Sequence, residues 1–203
     1  MGDSRSAFLS ASESYVDQVA RIPVAELAGP GLGAWDLRAL VGHAARSLTT
    51  VETYLDQPAA EVALPRAADY YLAIAATLAG GGDAVLERGR QAGLALGEDP
   101  ATYVRELAAR VHAKLPAYDA SYAMTTIAGG MRLDEYLRTR TFELVVHGLD
   151  IAVATGVDPG FADDPLVDAS TLAAQVAVRS GRGPTLLLAL TGRHRLPDGF
   201  SIV

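Results

Sequence analysis

The chain has 203 residues, half of them hydrophobic and a fifth charged, with 17 Lys plus Arg against 24 Asp plus Glu for a net charge of −7. Such a chain is long enough for one sizeable core, and no basic block points to nucleic acid or an anionic membrane surface. Cysteine is absent, which excludes disulfides, thiolate metal ligands and a thiol nucleophile of the protein's own.

Met1-Gly2-Asp3-Ser4-Arg5 leads into an amphipathic stretch rather than a signal peptide, and no run reaches the ~18 apolar residues of a membrane span. The expected location is the cytoplasm. Over residues 5–21, Phe8, Leu9, Tyr15, Val16 and Val19 recur at helical spacing, and Gly29-Pro30-Gly31-Leu32-Gly33 breaks the pattern. Asp36 is placed to cap a second helix, with Trp35 and Leu40 at staple spacing. In that helix Leu37, Leu40, Val41, Ala44, Leu48 and Val51 form an apolar stripe as far as Leu55, flanked by a polar stripe of His43, Ser47 and Thr50.

A third helix is expected over residues 66–79, ending at Gly80-Gly81-Gly82, and Asp83 is read as the cap of a fourth, to Leu96. Asp99-Pro100 opens a helix through Leu115. Ser121 to Ile127, rich in Tyr, Thr and Ile, reads as a short strand before Gly129-Gly130. Asp134 opens a long helix to Ala154, Gly156 follows it, and residues 155–164 form a loop. Asp164-Pro165 starts a helix to Arg179. Thr185 to Leu190 reads as a buried strand and Phe200 to Val203 as a last one. The expected fold is mainly α: an up-and-down four-helix bundle over residues 1–157, with a small C-terminal α/β appendage over 158–203 formed by a short helix and strands.

The chemistry concentrates in two helical segments. Trp35-Asp36-Leu37-Arg38-Ala39-Leu40-Val41-Gly42-His43 ends on a histidine beside a glycine. Arg140-Thr141-Phe142-Glu143-Leu144-Val145-Val146-His147-Gly148-Leu149-Asp150 carries a second such pair, with Glu143 four residues ahead of His147. At that spacing the two side chains share a helix face. A third ligand from a facing helix, for which His43 is the candidate, completes a His/His/Glu metal set with an open position. Glu143 lies in an apolar run, where an unpaired carboxylate is costly to bury. Glycine inside a helix costs about 1 kcal/mol relative to alanine, which a close helix approach at Gly42 and Gly148 would offset.

Arg140 and Asp150 flank the pair and are the candidate catalytic residues. Arg140 is placed to pair with Glu143 or to bind an anionic group, and Asp150 to orient a ligand histidine through its second nitrogen. An ordinary ion-pair stripe is an equal reading of both. His112 and His194 are expected at the surface. No phosphate loop, dinucleotide fingerprint or nucleophile elbow occurs.

Trp35 to His43, Arg140 to Ile151 and Leu187-Leu188-Ala189-Leu190-Thr191-Gly192-Arg193 resemble, in order, segments of the mycothiol-dependent maleylpyruvate isomerase family in the DinB-like superfamily. The resemblance implies a DinB-like four-helix bundle and a divalent metal, usually zinc, held by His43, Glu143 and His147. It also implies mycothiol or a related low-molecular-weight thiol as cofactor. Members act as thiol transferases or thiol-dependent cis–trans isomerases on small electrophiles. The arginine that the best-known isomerase uses on its substrate has no clear counterpart, with Arg66 and Arg88 the positions available, and the C-terminal region is shorter than that enzyme's second domain. The expected partner is a small electrophilic substrate, with a homodimer left open. The alternative reading is a non-enzymatic small-molecule or partner-binding protein on the same bundle, and a further one keeps the motif residues as packing groups in a metal-free bundle.

Overall fold

A computed structural model describes residues 3–78 and 82–203. These residues form eight α-helices and a two-stranded sheet: α1 (Ser4–Ala20), α2 (Leu37–Tyr54), α3 (Ala67–Leu78), α4 (Gly82–Ala95), α5 (Pro100–Lys114), β1 (Ala123–Thr126), β2 (Gly129–Arg132), α6 (Leu133–Thr155), α7 (Asp163–Arg179) and α8 (Gly183–Leu190). Local chemistry sets many of the ends. Asp3 accepts from the Arg5 amide, Asp36 from Ala39 and Asp99 from Thr102, each satisfying an amide of a first helical turn. Gly156, at φ 73°, takes the left-handed conformation that closes α6.

Helices α1, α5, α2 and α6 pack in a closed ring and form the four-helix bundle. Phe8 and Tyr15 of α1, Leu40 and Leu48 of α2, Leu107 of α5 and Leu144 of α6 are buried in one continuous core. The Tyr15 hydroxyl donates to Val41 O at 2.7 Å, joining α1 to α2 inside that core. Outside the ring, α4 lies on α2, α7 lies on α1 and α6, and α3 bridges α6 and α7. The Glu135 carboxylate of α6 accepts from the Ala67 amide at 2.6 Å, which pins the start of α3 against α6.

The expected helical bundle with a small appendage is the fold of the chain, but the strands lie elsewhere. The sheet is an antiparallel hairpin, with Ala123 opposite Arg132 and Thr126 opposite Gly129, directly ahead of α6. Gly129-Gly130, read as the end of a strand, belong to its second strand. Thr185 to Leu190 is helical, not a buried strand: Leu187 is 61% and Leu190 72% exposed. A short apolar run has no periodicity to separate strand from helix, and Pro184 in the first turn with Leu and Ala following favours the helix. Phe200 to Val203 forms no strand. Helix α4 starts at Gly82, so Asp83 lies within it rather than before it. Gly80 and Gly81, read as a helix end, and Met1-Gly2 lie outside the described residues. His112 is half-buried rather than at the surface, its Nε2 2.5 Å from the Ser12 hydroxyl of α1.

Candidate metal centre

Helices α2 and α6 face each other through matched side chains. The His43 and His147 rings meet edge to face at 4.8 Å, and the Tyr54 and Tyr136 rings meet at 5.6 Å. Moving along α2 from His43 to Tyr54 therefore moves backward along α6 from His147 to Tyr136, and the two helices run antiparallel. On α6 the facing stripe is Tyr136, Arg140, Glu143 and His147, at steps of three or four residues.

His43, Glu143 and His147 come together at the His end of this seam. Each offers one ligand atom, and those atoms lie within 4.8 Å of one another. His147 Nε2 is 3.3 Å from Glu143 Oε2. Two ligands bonded to zinc at about 2.0–2.1 Å and tetrahedral angles stand about 3.3 Å apart, so the pair already has a ligand spacing. His147 Nδ1 is 3.0 Å from Asp150 Oδ2. That bond occupies Nδ1 and leaves Nε2 for the cluster, the usual arrangement of a ligating histidine and its orienting carboxylate. Neither nitrogen of His43 makes a hydrogen bond with the described residues, and its Nδ1 is buried. His43 as a whole is half-buried, and a buried ring nitrogen without a hydrogen-bond partner suits a metal ligand and is otherwise unfavourable.

The two histidines are charged differently. Burial, with His147 beside it, lowers the His43 pKa to about 4, so its ring is neutral at neutral pH. Burial also opposes charge on His147, but its hydrogen bonds to Asp150 and Glu143 outweigh it and raise the pKa to about 9. Glu143 is held at about 2: burial favours its neutral form, and the His147 hydrogen bond and the Arg140 charge overcome that.

Two further side chains surround the cluster: Tyr71, which carried no signal in the sequence, and Trp35, legible there only as a staple and motif residue. Tyr71 of α3 has its hydroxyl 2.8 Å from Glu143 Oε1, which fixes one carboxylate oxygen and leaves Oε2 toward His147. The Trp35 ring lies 4.5 Å from that of His43, and its indole N–H donates to Leu86 O of α4 at 2.9 Å. Helix α4 thus holds Trp35 and, through it, one face of His43. The glycines beside the histidines serve different contacts. A Cβ on Gly42 would stand 2.2 Å from Gly93 N, so α2 and α4 touch there backbone to backbone. A Cβ on Gly148 would stand 2.6 Å from the Phe161 ring, so that glycine admits a side chain of the following loop, not a helix.

Arg140 is not ion-paired with Glu143. Its Nε donates to Thr139 Oγ1 at 3.0 Å, and its guanidinium carbon lies 4.9 Å from the Tyr136 ring centre and 5.1 Å from that of Tyr70. His194 stands in an exposed turn far along the chain, as its flanking arginines suggested. Arg88 lines a cavity of about 520 Å³ between α2, α4 and α5, away from the facing stripe of α6.

A family model described as the mycothiol maleylpyruvate isomerase N-terminal domain matches residues 8–152, from α1 to near the end of α6. No curated protein and no solved structure matches. No helix among the described residues is long and apolar enough to cross a membrane.

Proposed function

The chain belongs to the mycothiol maleylpyruvate isomerase N-terminal domain family, and from that premise we propose that it is a metal- and thiol-dependent enzyme, a thiol S-transferase or thiol-assisted cis–trans isomerase acting on a small electrophile. The observation that carries this reading is the convergence of His43, Glu143 and His147 from two helices within 4.8 Å. A divalent metal bound there, zinc by the donor set, supplies Lewis-acid chemistry that keeps a bound thiol deprotonated near neutral pH. The chain has no cysteine, so the thiol comes from outside, and the family points to mycothiol.

The protein's own residues prepare the site. Asp150 holds His147 in the tautomer that turns Nε2 to the cluster. Tyr71 holds Glu143 Oε1 and leaves Oε2 free. Trp35 and α4 shield one face of His43. Arg140, one turn from Glu143, places a buried positive charge next to the carboxylate. In a transferase the sulfur–carbon bond persists and the product is an S-conjugate. In an isomerase sulfur adds to an unsaturated carbon, rotation follows, and the same bond breaks to return the thiol.

The test incubates zinc-loaded protein with mycothiol and a panel of electrophiles, following S-conjugates and geometric isomers by mass spectrometry and chromatography. Mycothiol-dependent turnover that glutathione supports less well is the expected result. Full turnover without thiol would point to activated water instead. Metal binding with no turnover across the panel would favour a small-molecule-binding protein on the same bundle.

A further inference from the structure

The geometry points to an oxyanion subsite at Arg140, built with the hydroxyl of Tyr136, that takes a carboxylate of the molecule whose other end meets the metal cluster. Arg140 is only 7% exposed. A buried guanidinium is normally matched by a carboxylate, yet no acidic oxygen lies within 4 Å of it among the described residues, and its single side-chain hydrogen bond is the one from Nε to Thr139. Its terminal nitrogens, which carry four of its five N–H donors, make none with the described residues and are not fully enclosed, so a small anion can reach them.

Two aromatic rings partly offset the isolated charge. Tyr70 and Tyr136 approach the guanidinium carbon at 5.1 and 4.9 Å, within cation–π range. A ring cannot satisfy the fork of N–H donors, which suits a carboxylate or another planar oxyanion. The second donor is only loosely engaged: the Tyr136 hydroxyl is buried with no close hydrogen bond among the described residues, and Thr50 of α2 is the polar side chain beside it. Its own ring lies against Arg140, so the two donors share one neighbourhood.

The subsite lies on the same face of α6 as the cluster, one turn from Glu143. A ligand of a few carbon atoms with a carboxylate at Arg140 therefore puts its far end at His43, Glu143 and His147. Glu143 is already held by Tyr71 and His147, so it does not compete for the arginine. The position of the reactive end rests on the proposed function, but anion binding at Arg140 does not.

The experiment titrates protein, metal-free and zinc-loaded, with acetate and with neutral acetamide, following tyrosine-ring and arginine side-chain resonances by NMR. Acetate is expected to shift the Arg140 and Tyr136 signals saturably in both forms, and acetamide in neither. Arg140→Lys, which keeps the charge but loses the fork, should bind acetate about tenfold more weakly. Tyr136→Phe, which keeps the ring and loses only the hydroxyl, should weaken it several-fold and keeps the test open if position 140 tolerates no change. Acetate binding that is unaffected in Tyr136→Phe and in folded Arg140→Lys, binding only in the zinc-loaded form, or acetamide binding as well as acetate would each overturn the subsite. None of these outcomes bears on thiol dependence, which the turnover assay reads separately.

Discussion

The α2 half and the α6 half of the cluster hold the same residue type, histidine, in opposite states. On α6, His147 sits between two carboxylates one turn away on either side, and its pKa rises to about 9. On α2, His43 has no hydrogen-bond partner among the described residues, a tryptophan on one face and a second histidine beyond its edge, and its pKa falls to about 4. A helix can supply its own ion-pair partners at three- and four-residue spacing, whereas a lone histidine on another helix depends on whatever other elements pack around it. The α6 half therefore satisfies its own charges, with a proton on His147 between two carboxylates, while Nδ1 of His43 is left without a hydrogen-bond partner among the described residues.

Removing the lone ligand has the largest expected effect. His43→Ala should lose nearly all bound metal while keeping the helical circular dichroism of the wild type, because Glu143 and His147 alone offer only two ligands from one helix. Elemental analysis after desalting reads this directly. Metal retained at one per chain in this variant would place the ion elsewhere and break the comparison.

The charge states predict opposite pH responses in metal-free protein. A histidine raised from 6.5 to about 9 contributes stability that is present below pH 6.5 and lost as pH rises through 9. A histidine lowered to about 4 contributes stability that is present above pH 6.5 and lost as pH falls through 4. Thermal melts in chelator should show a maximum near pH 6.5, with limbs on the order of a few kcal/mol. His147→Ala should abolish the alkaline limb and also reduce the acid limb, because His147 helps lower the pKa values of His43 and Glu143, and a wild-type profile flat between pH 6.5 and 9 would contradict the assignment. At pH 7.5 metal uptake should also release about one proton per chain, from His147 and not from His43, measurable by calorimetry in buffers of different ionisation enthalpy.

Outer partners should matter less than ligands. Asp150→Asn removes the charge that orients His147, and a loss of about 10- to 100-fold in metal affinity is expected. Competition with a chromogenic chelator measures it, and unchanged affinity would return Asp150 to an ordinary ion-pair role. The smallest effect is expected at Tyr71→Phe, which removes the hydroxyl whose one proton is shared between Glu143 Oε1 at 2.8 Å and the Thr139 carbonyl at 3.1 Å. Affinity should fall by about tenfold at most, with the fold and metal stoichiometry unchanged.

Much of the α6 half was legible in the sequence because its geometry is local. Glu143, His147 and Asp150 sit at helical spacings that any α-helix converts to contacts, and the caps at Asp36 and Asp99 follow from the same short-range rules. His43 was legible as a candidate through its motif, but the antiparallel pairing that brings it to His147 is a property of the packed bundle. Tyr71 and Tyr136 gave no local sign, and Trp35 was legible as a staple and motif residue but not as the neighbour of His43, since these contacts are made across helices. Arg140 was singled out in the sequence with two readings open, and the packing places its guanidinium against tyrosine rings and not in an ion pair with Glu143.

By itself, the sequence determined the mainly helical bundle, the family, the absence of an internal thiol and the one-turn spacing of the α6 pair, because composition, periodicity and capping act over a few residues. The tertiary structure decided what depends on long-range contact: that His43 meets the pair, that α4 holds Trp35 against it, that Tyr71 fixes one oxygen of Glu143 and that Arg140 is buried without an anion. It also decided the C-terminal leucine run, where an aperiodic apolar segment is compatible with strand or helix. A helix satisfies its backbone hydrogen bonds internally, whereas a strand at Thr185 to Leu190 would need a partner that no neighbouring segment supplies.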